Sequence, residues 1–177
     1  MTTSGATPIP SSFRGRVWIF GDDVNTDLVI PAFAQYLTAE EMAPHCFSAN
    51  RPGWVDEMSP GDVIVAGQNF GVGSARNIGA VFRVLGIAGI VAESFNGLAM
   101  RGCLNEGLPI LPCPGARAAF TEGDEAEVDW CDGLVTNRTT GATARGRPVP
   151  PPLQDIARHG GVEAILRAEG FLRAEST

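Results

Sequence analysis

A hydroxyl and a guanidinium two residues apart, Ser74 and Arg76, stand in the glycine-rich stretch Gln68-Asn69-Phe70-Gly71-Val72-Gly73-Ser74-Ala75-Arg76-Asn77. The apolar run Val63-Ile64-Val65-Ala66 before it reads as a buried strand, and the periodicity after it predicts a helix from about 75 to 85. Gly71 and Gly73 allow a sharp turn and a close approach of backbone to a ligand. Unpaired N–H groups at the start of the helix add a partly positive field. An anion or an alkoxide would be stabilised at such a place, so the pattern gives Ser74 the role of base or nucleophile and Arg76 that of a carboxylate clamp. The plainer alternatives are Ser74 as a helix N-cap and Arg76 as a surface cation in a first turn, where the helix dipole disfavours it. No histidine stands within the loop to activate the serine, which separates it from a Ser-His-Asp hydrolase.

The elements that must position these residues follow from patterning. Residues 1–13 are small, polar and proline-bearing and read as a disordered leader, with a single domain expected over 14–173. Arg16 to Phe20 reads as a strand, Gly21-Asp22-Asp23 as a turn, and Thr26 to Ile30 as a second extended piece stopped by Pro31. Thr38, with Glu41 three residues on, predicts a short capped helix that Pro44 ends or bends. From residue 60 the order becomes strand 62–66, glycine loop, helix, strand 89–92, helix 95–105, strand 109–111, with Gly86 and Gly107 where helix C-caps are wanted. Such β-α-β-α-β order predicts parallel strands with helices packed on them. Beyond Pro114 a hairpin is expected from 125–130 and 134–137, then a proline-stiffened connector and a closing helix over 153–169 interrupted at Gly160-Gly161. The fold class is therefore α/β: a three-layer or barrel-like mixed domain with a parallel core and a C-terminal hairpin plus helix. The glycine loop falls at the carboxyl end of a strand, where open α/β sheets bind ligands.

Composition narrows the function. At 177 residues and 44% hydrophobic content the chain can fill one core. A net charge of −7 argues against nucleic acid or an anionic membrane as partner. All 13 basic residues are arginine, which excludes a Schiff-base lysine and a Walker lysine. Cys46, Cys103, Cys113 and Cys131 form no Cys-x-x-Cys pair, and His45 and His159 are far apart, so no metal site is expected from this chain. A reduced, cytoplasmic setting is expected, and no apolar run approaches the ~20 residues that cross a bilayer.

Two segments carry a family resemblance. Gly21-Asp22-Asp23-Val24-Asn25-Thr26-Asp27-Leu28-Val29-Ile30-Pro31, followed by Tyr36-Leu37, resembles the opening signature of the 3-isopropylmalate dehydratase small subunit, equivalent to the swivel domain of aconitase. The glycine loop resembles that family's second signature. Gly61 to Gly67, Gly107 to Ile110 and Gly160 to Leu166 add support, so the resemblance covers about residues 14–173. Two separated signatures in order are far more specific than a lone glycine-rich loop.

The resemblance implies a hydro-lyase subunit of leucine biosynthesis that isomerises a hydroxy-acid by dehydration and rehydration. The expected partner is a separate large subunit bearing a [4Fe-4S] cluster, in a heterodimer. It implies that Ser74, as an alkoxide, abstracts the carbon-bound proton, that Arg76 holds a substrate carboxylate, and that Asp27 lies in the same pocket. Gly73 and Thr38 are expected at the substrate. The chain departs from the family pattern at Ala75, Asn77 and Ile78, where a second serine and then Glu-His usually follow. Thr38 stands where an arginine would indicate an extra carboxylate, so a small or apolar side group is expected, as on isopropylmalate. Open alternatives are a subunit for another alkyl-malate, citrate or homoaconitate, a non-catalytic accessory swivel protein, and a phosphate-binding module using the glycine loop. Arg101 is expected in solvent and Cys103 in the core. An exposed apolar patch near the glycine loop would mark a surface awaiting a partner.

Overall fold

A computed structural model describes residues 8–172; Met1 to Thr7 and the last five residues lie outside the described residues. Strands β1 (Ser12–Ile19), β2 (Val63–Ala66), β3 (Gly89–Ala92), β4 (Ile110–Pro112), β5 (Glu125–Asp129), β6 (Leu134–Asn137) and β7 (Thr143–Arg145) form one sheet in the order β4-β3-β2-β1-β5-β6-β7. The first four are parallel neighbours, and β5, β6 and β7 run antiparallel. The helices are α1 (Thr26–Val29), α2 (Ala39–Met42), α3 (Trp54–Glu57), α4 (Ile78–Val84), α5 (Gly97–Asn105), α6 (Ala116–Ala119), α7 (Pro151–Arg158) and α8 (Val162–Ala168).

Every residue of β2 and β3 is buried, as continuous apolar strands in the middle of a parallel sheet must be. β1 joins the two halves of the sheet. Its last residues pair with β2, Val17 opposite Val63, while its first five pair with β5, Ser12 opposite Asp129. Helix α6 touches β7 at one edge as well as β2 and β3 toward the other, and Arg147 N donates to Pro112 O of β4 at 2.7 Å. The sheet is therefore curled until its two edges approach, which meets the barrel-like expectation. Helix α4 packs on α5, and α5 on α7.

The core joins β1 to the glycine loop through aromatic rings. Phe20 stacks on Phe47 at 4.4 Å, Phe47 meets Phe82 at 6.0 Å, and Phe82 meets Phe70 at 6.5 Å. Such rings bury large areas and hold specific geometry, so Phe70 fixes the base of the loop. The indole N–H of buried Trp18 donates to Asp62 Oδ2 at 2.7 Å, which satisfies both groups.

Four sequence expectations change. The chain is ordered before Arg14: the first strand starts at Ser12, and Pro10 O accepts from Trp130 Nε1 at 2.9 Å. Pairing with β5 decides this, a non-local effect that the polar composition concealed. Thr26 to Val29 is a helical turn rather than an extended piece, because Asn25 Oδ1 accepts from Asp27 N at 2.8 Å and caps it. Helix α4 begins at Ile78, later than 75, with Asn77 as its N-cap. Helix α6 and strand β7 are short elements without their own periodic signal, and they were not anticipated.

Candidate active site

Three loops meet beyond the carboxyl ends of β1, β2 and β3. The loop after β1 and the glycine loop after β2 lie side by side in a short ladder: Asp23 N donates to Gln68 O, Gly71 N to Val24 O and Thr26 N to Val72 O, each at 2.8 Å. Phe70 N donates to Ser94 O at 3.0 Å, and Asn96 N donates to Phe70 O at 2.8 Å, which ties in the loop after β3. The two signatures are thus one main-chain unit. The hydroxyl of buried Thr26 completes it by donating to Ser74 O at 2.7 Å.

The glycines serve this ladder. Gly73 has φ of 112°, and a Cβ there would stand 2.3 Å from Asn25 Oδ1; at Gly71, φ 81°, it would stand 2.1 Å from Ala99 Cβ. The close approach demanded of them is to neighbouring protein, where the sequence reading put a ligand. Gly73 itself lines neither of the cavities described below.

The side chains of Asp27, Ser74 and Arg76 converge. Ser74 Oγ donates to Asp27 Oδ1 at 2.5 Å, Arg76 Nε donates to Ser74 Oγ at 3.1 Å, and Arg76 Nε also lies 2.8 Å from Asp27 Oδ1. Arg76 Nη1 donates to the carbonyl of Ile30, so both ends of α1 touch this trio. The Arg76 side chain is 12% exposed and that of Asp27 47% exposed, while Ser74 is open to solvent. The helix-mouth expectation therefore needs correction. Ser74 lies three residues before the Asn77 cap, and Arg76 is outside the helix, which removes the dipole objection to it. Positive charge on the serine oxygen comes from the guanidinium. The acceptor for its proton comes from the other signature, where a search for a base within the glycine loop could not find it.

Two cavities, each of about 260 Å³, share the wall Ala75-Arg76-Asn77. The first is lined by Ser74 together with Leu98, Ala99, Gly102 and Glu106. The second is lined by Ile30, Gln35, Tyr36 and Met42. Thr38 lines neither. It caps α2 in a reciprocal box with Glu41, Glu41 N donating to Thr38 Oγ1 at 3.3 Å and Thr38 N to Glu41 Oε2 at 3.0 Å. Met42, Leu98 and Glu106 were missed as site residues. Leu98, an exposed leucine at the start of a helix in a glycine-flanked segment, carried the one usable signal.

This arrangement can move a proton. A serine hydroxyl is too weak an acid to ionise alone, but an adjacent carboxylate can take its proton while a guanidinium offsets charge on either oxygen. Thiol chemistry is disfavoured: burial pushes Cys103 up to about 12 and Cys113 up to about 11, and raises Cys46 further. Among the described residues no group of three or more His, Cys, Asp or Glu side chains could hold a metal ion, and no helix is long and apolar enough to cross a membrane. Leu98 and Tyr36, which line the two cavities, are exposed, Tyr36 at 89%, as are Leu28 and Phe33.

Residues 38–113 match the model of the aconitase C-terminal domain. The chain is 40% identical over 161 residues to 3-isopropylmalate dehydratase small subunit 1 of Methanopyrus kandleri, covering 89% of this chain and 94% of that one. It is 37% identical to the isopropylmalate/citramalate isomerase small subunit of Methanocaldococcus jannaschii, covering 89% and 95%. The crystal structure of 3-isopropylmalate dehydratase from Methanocaldococcus jannaschii superposes with a TM-score of 0.84 at 29% identity, over 90% of this chain and 96% of that chain.

Proposed function

This chain belongs to the 3-isopropylmalate dehydratase small-subunit family, and from that premise we propose that it supplies the proton-transfer half of a hydro-lyase interconverting 2- and 3-isopropylmalate or a close alkyl-malate. The observation that carries the reading is the convergence of Asp27, Ser74 and Arg76 at a cavity mouth. Ser74 Oγ takes the carbon-bound proton while its own proton passes to Asp27 Oδ1. The electron pair of the broken C–H bond becomes the new double bond as hydroxide leaves the neighbouring carbon. Arg76 offsets the negative charge on the oxygens throughout and faces a substrate carboxylate. Rehydration reverses these transfers. This relay needs no free alkoxide, because the serine proton has a waiting acceptor 2.5 Å away.

A [4Fe-4S] cluster on a separate large subunit would polarise the departing hydroxyl. The thiols of this chain are a poor fit to such a cluster: three are buried in the core and none pairs with another. The same partner would cover the open Ser74 and the apolar residues beside it, excluding the water that weakens charge stabilisation. The chain acts in this reading as one swivel-like domain in the cytoplasm.

The accessory reading rested on Ala75, Asn77 and Ile78. Two of these have structural employment, Asn77 as the α4 cap and Ile78 in the core, and the reacting trio is complete without them. Reconstitution with the cognate large subunit tests the proposal. The chain alone should turn over no malate, and the pair should convert isopropylmalate. Ser74→Ala should lower kcat at least about 10³-fold with the complex intact. Near-normal rates would remove Ser74 as the base, and a stable pair inert toward every malate would restore the accessory reading.

A further inference from the structure

The lining of the Ser74 cavity includes a carboxylate that the proton relay does not use. Glu106 lines the cavity together with Arg76, Asn77, Leu98 and Ala99. Asn77 Nδ2 donates to Glu106 Oε1 at 2.6 Å while Asn77 Oδ1 accepts from Ala80 N at 3.2 Å, so one side chain caps α4 and fixes the carboxylate. Glu106 is itself the C-cap of α5, an end where the helix dipole disfavours an anion. Its placement thus opposes local electrostatics, and it makes no ion pair among the described residues.

The charge balance decides what can bind. Among the described residues Arg76 is the one cation lining either cavity, and Asp27 already pairs with it. This chain therefore offers one guanidinium against two carboxylates. A substrate carboxylate can lie against Arg76, but a further carboxylate in the same cavity shares it with the apolar Leu98 and Ala99 and with the anion of Glu106. Like charges brought together in a partly dehydrated site are discriminated against strongly, whereas an alkyl branch there incurs no such repulsion.

We propose that Glu106, held by Asn77, is a specificity-determining residue that rejects a third carboxylate on the substrate. The proposal rests on the proton-transfer reading of the same cavity and names the residue that keeps tricarboxylates out. Thr38, from which a small side group was inferred in the sequence, does not line this cavity, so the discrimination has a different origin.

The test uses the reconstituted two-subunit enzyme, with isopropylmalate as substrate and citrate as the tricarboxylate competitor. The readout is the ratio of the citrate inhibition constant to the isopropylmalate KM. Glu106→Gln keeps the shape and the hydrogen bond to Asn77 and should lower this ratio about fivefold at low salt, the difference shrinking in 0.5 M salt. Glu106→Asp keeps the charge and should stay near the wild-type ratio. A structural defect would alter both constants without this charge and salt pattern. An unchanged ratio in Glu106→Gln, or the same fall in Glu106→Asp, would overturn the assignment while leaving the relay intact. A wild-type pair that converts no malate would overturn the relay, and this inference with it.

Discussion

The parallel half of the sheet and the antiparallel half are built to different rules. In β2 and β3 every side chain is buried, and the loop at the carboxyl end of β2 carries glycines at positive φ, a main-chain ladder to the loop after β1, and Ser74 and Arg76, which meet Asp27 from that neighbouring loop. In β5 and β6 burial alternates, and the exposed face is covered by ion pairs such as Arg14–Glu125 and Arg138–Glu127. The first half sacrifices conformational freedom and exposed polarity to hold one geometry. The second closes the curled sheet, and its solvated face is stabilised little by such surface pairs. Substitutions of similar size should therefore have different signatures in the two halves.

The largest effect expected is at Phe70, where truncation to alanine would empty the ring contacts beneath the glycine loop. Phe70→Ala should lower unfolding free energy by about 3–5 kcal/mol in denaturant titration and depress turnover of whatever remains folded. Asp27→Asn should separate geometry from charge: folding should be retained, and kcat should fall about 10²-fold, or roughly 2.7 kcal/mol of transition-state stabilisation. A rate within threefold of wild type would show that Asp27 only orients Ser74. In the antiparallel half Val128→Ala removes a fully buried side chain of β5. It should cost about 2 kcal/mol in stability with kcat of the folded complex unchanged. If turnover fell in step with stability, the division between the halves would be wrong.

The smallest effect is at the seam. The Arg51 guanidinium, hydrogen-bonded to Glu122, holds that carboxyl below its ordinary value. A carboxyl depressed in the folded state stabilises above its unfolded pKa, and that contribution disappears as pH falls through the folded value. Glu122→Gln should therefore reduce stability near neutral pH by no more than about 1 kcal/mol, and wild type and variant should converge in acid, as thermal melts across pH 3–7 would report.

The two halves also differed in how far the sequence exposed them. Helix α5, strands β2 and β3 and the first hairpin were legible because burial on both faces, periodicity and glycine caps are local signals. Helix α4 was legible in kind, yet its start was misplaced: Asn77 and Ser74 are both good caps, and only the bond from Ala80 N to Asn77 chooses between them. The strand from Ser12 was hidden because β5, more than a hundred residues away, makes it a strand. At the site the residue types of Ser74 and Arg76 were informative and Asp27 was open between capping and chemistry. What no local pattern carries is that Asp27 accepts a hydrogen bond from Ser74 or that Glu106 lines the cavity beside it. Each depends on a partner distant in sequence.

Asp27 and Ser74 are 47 residues apart and are brought together by three amide hydrogens in a row, those of Asp23, Thr26 and Gly71. These hydrogens are natural clocks. While they resist exchange with deuterated solvent, the serine and its acceptor remain in register. An opening that lets them exchange breaks the ladder that holds the pair together. Slow exchange at Thr26 and Gly71 would thus measure directly, in the resting subunit, the fraction of molecules ready to react.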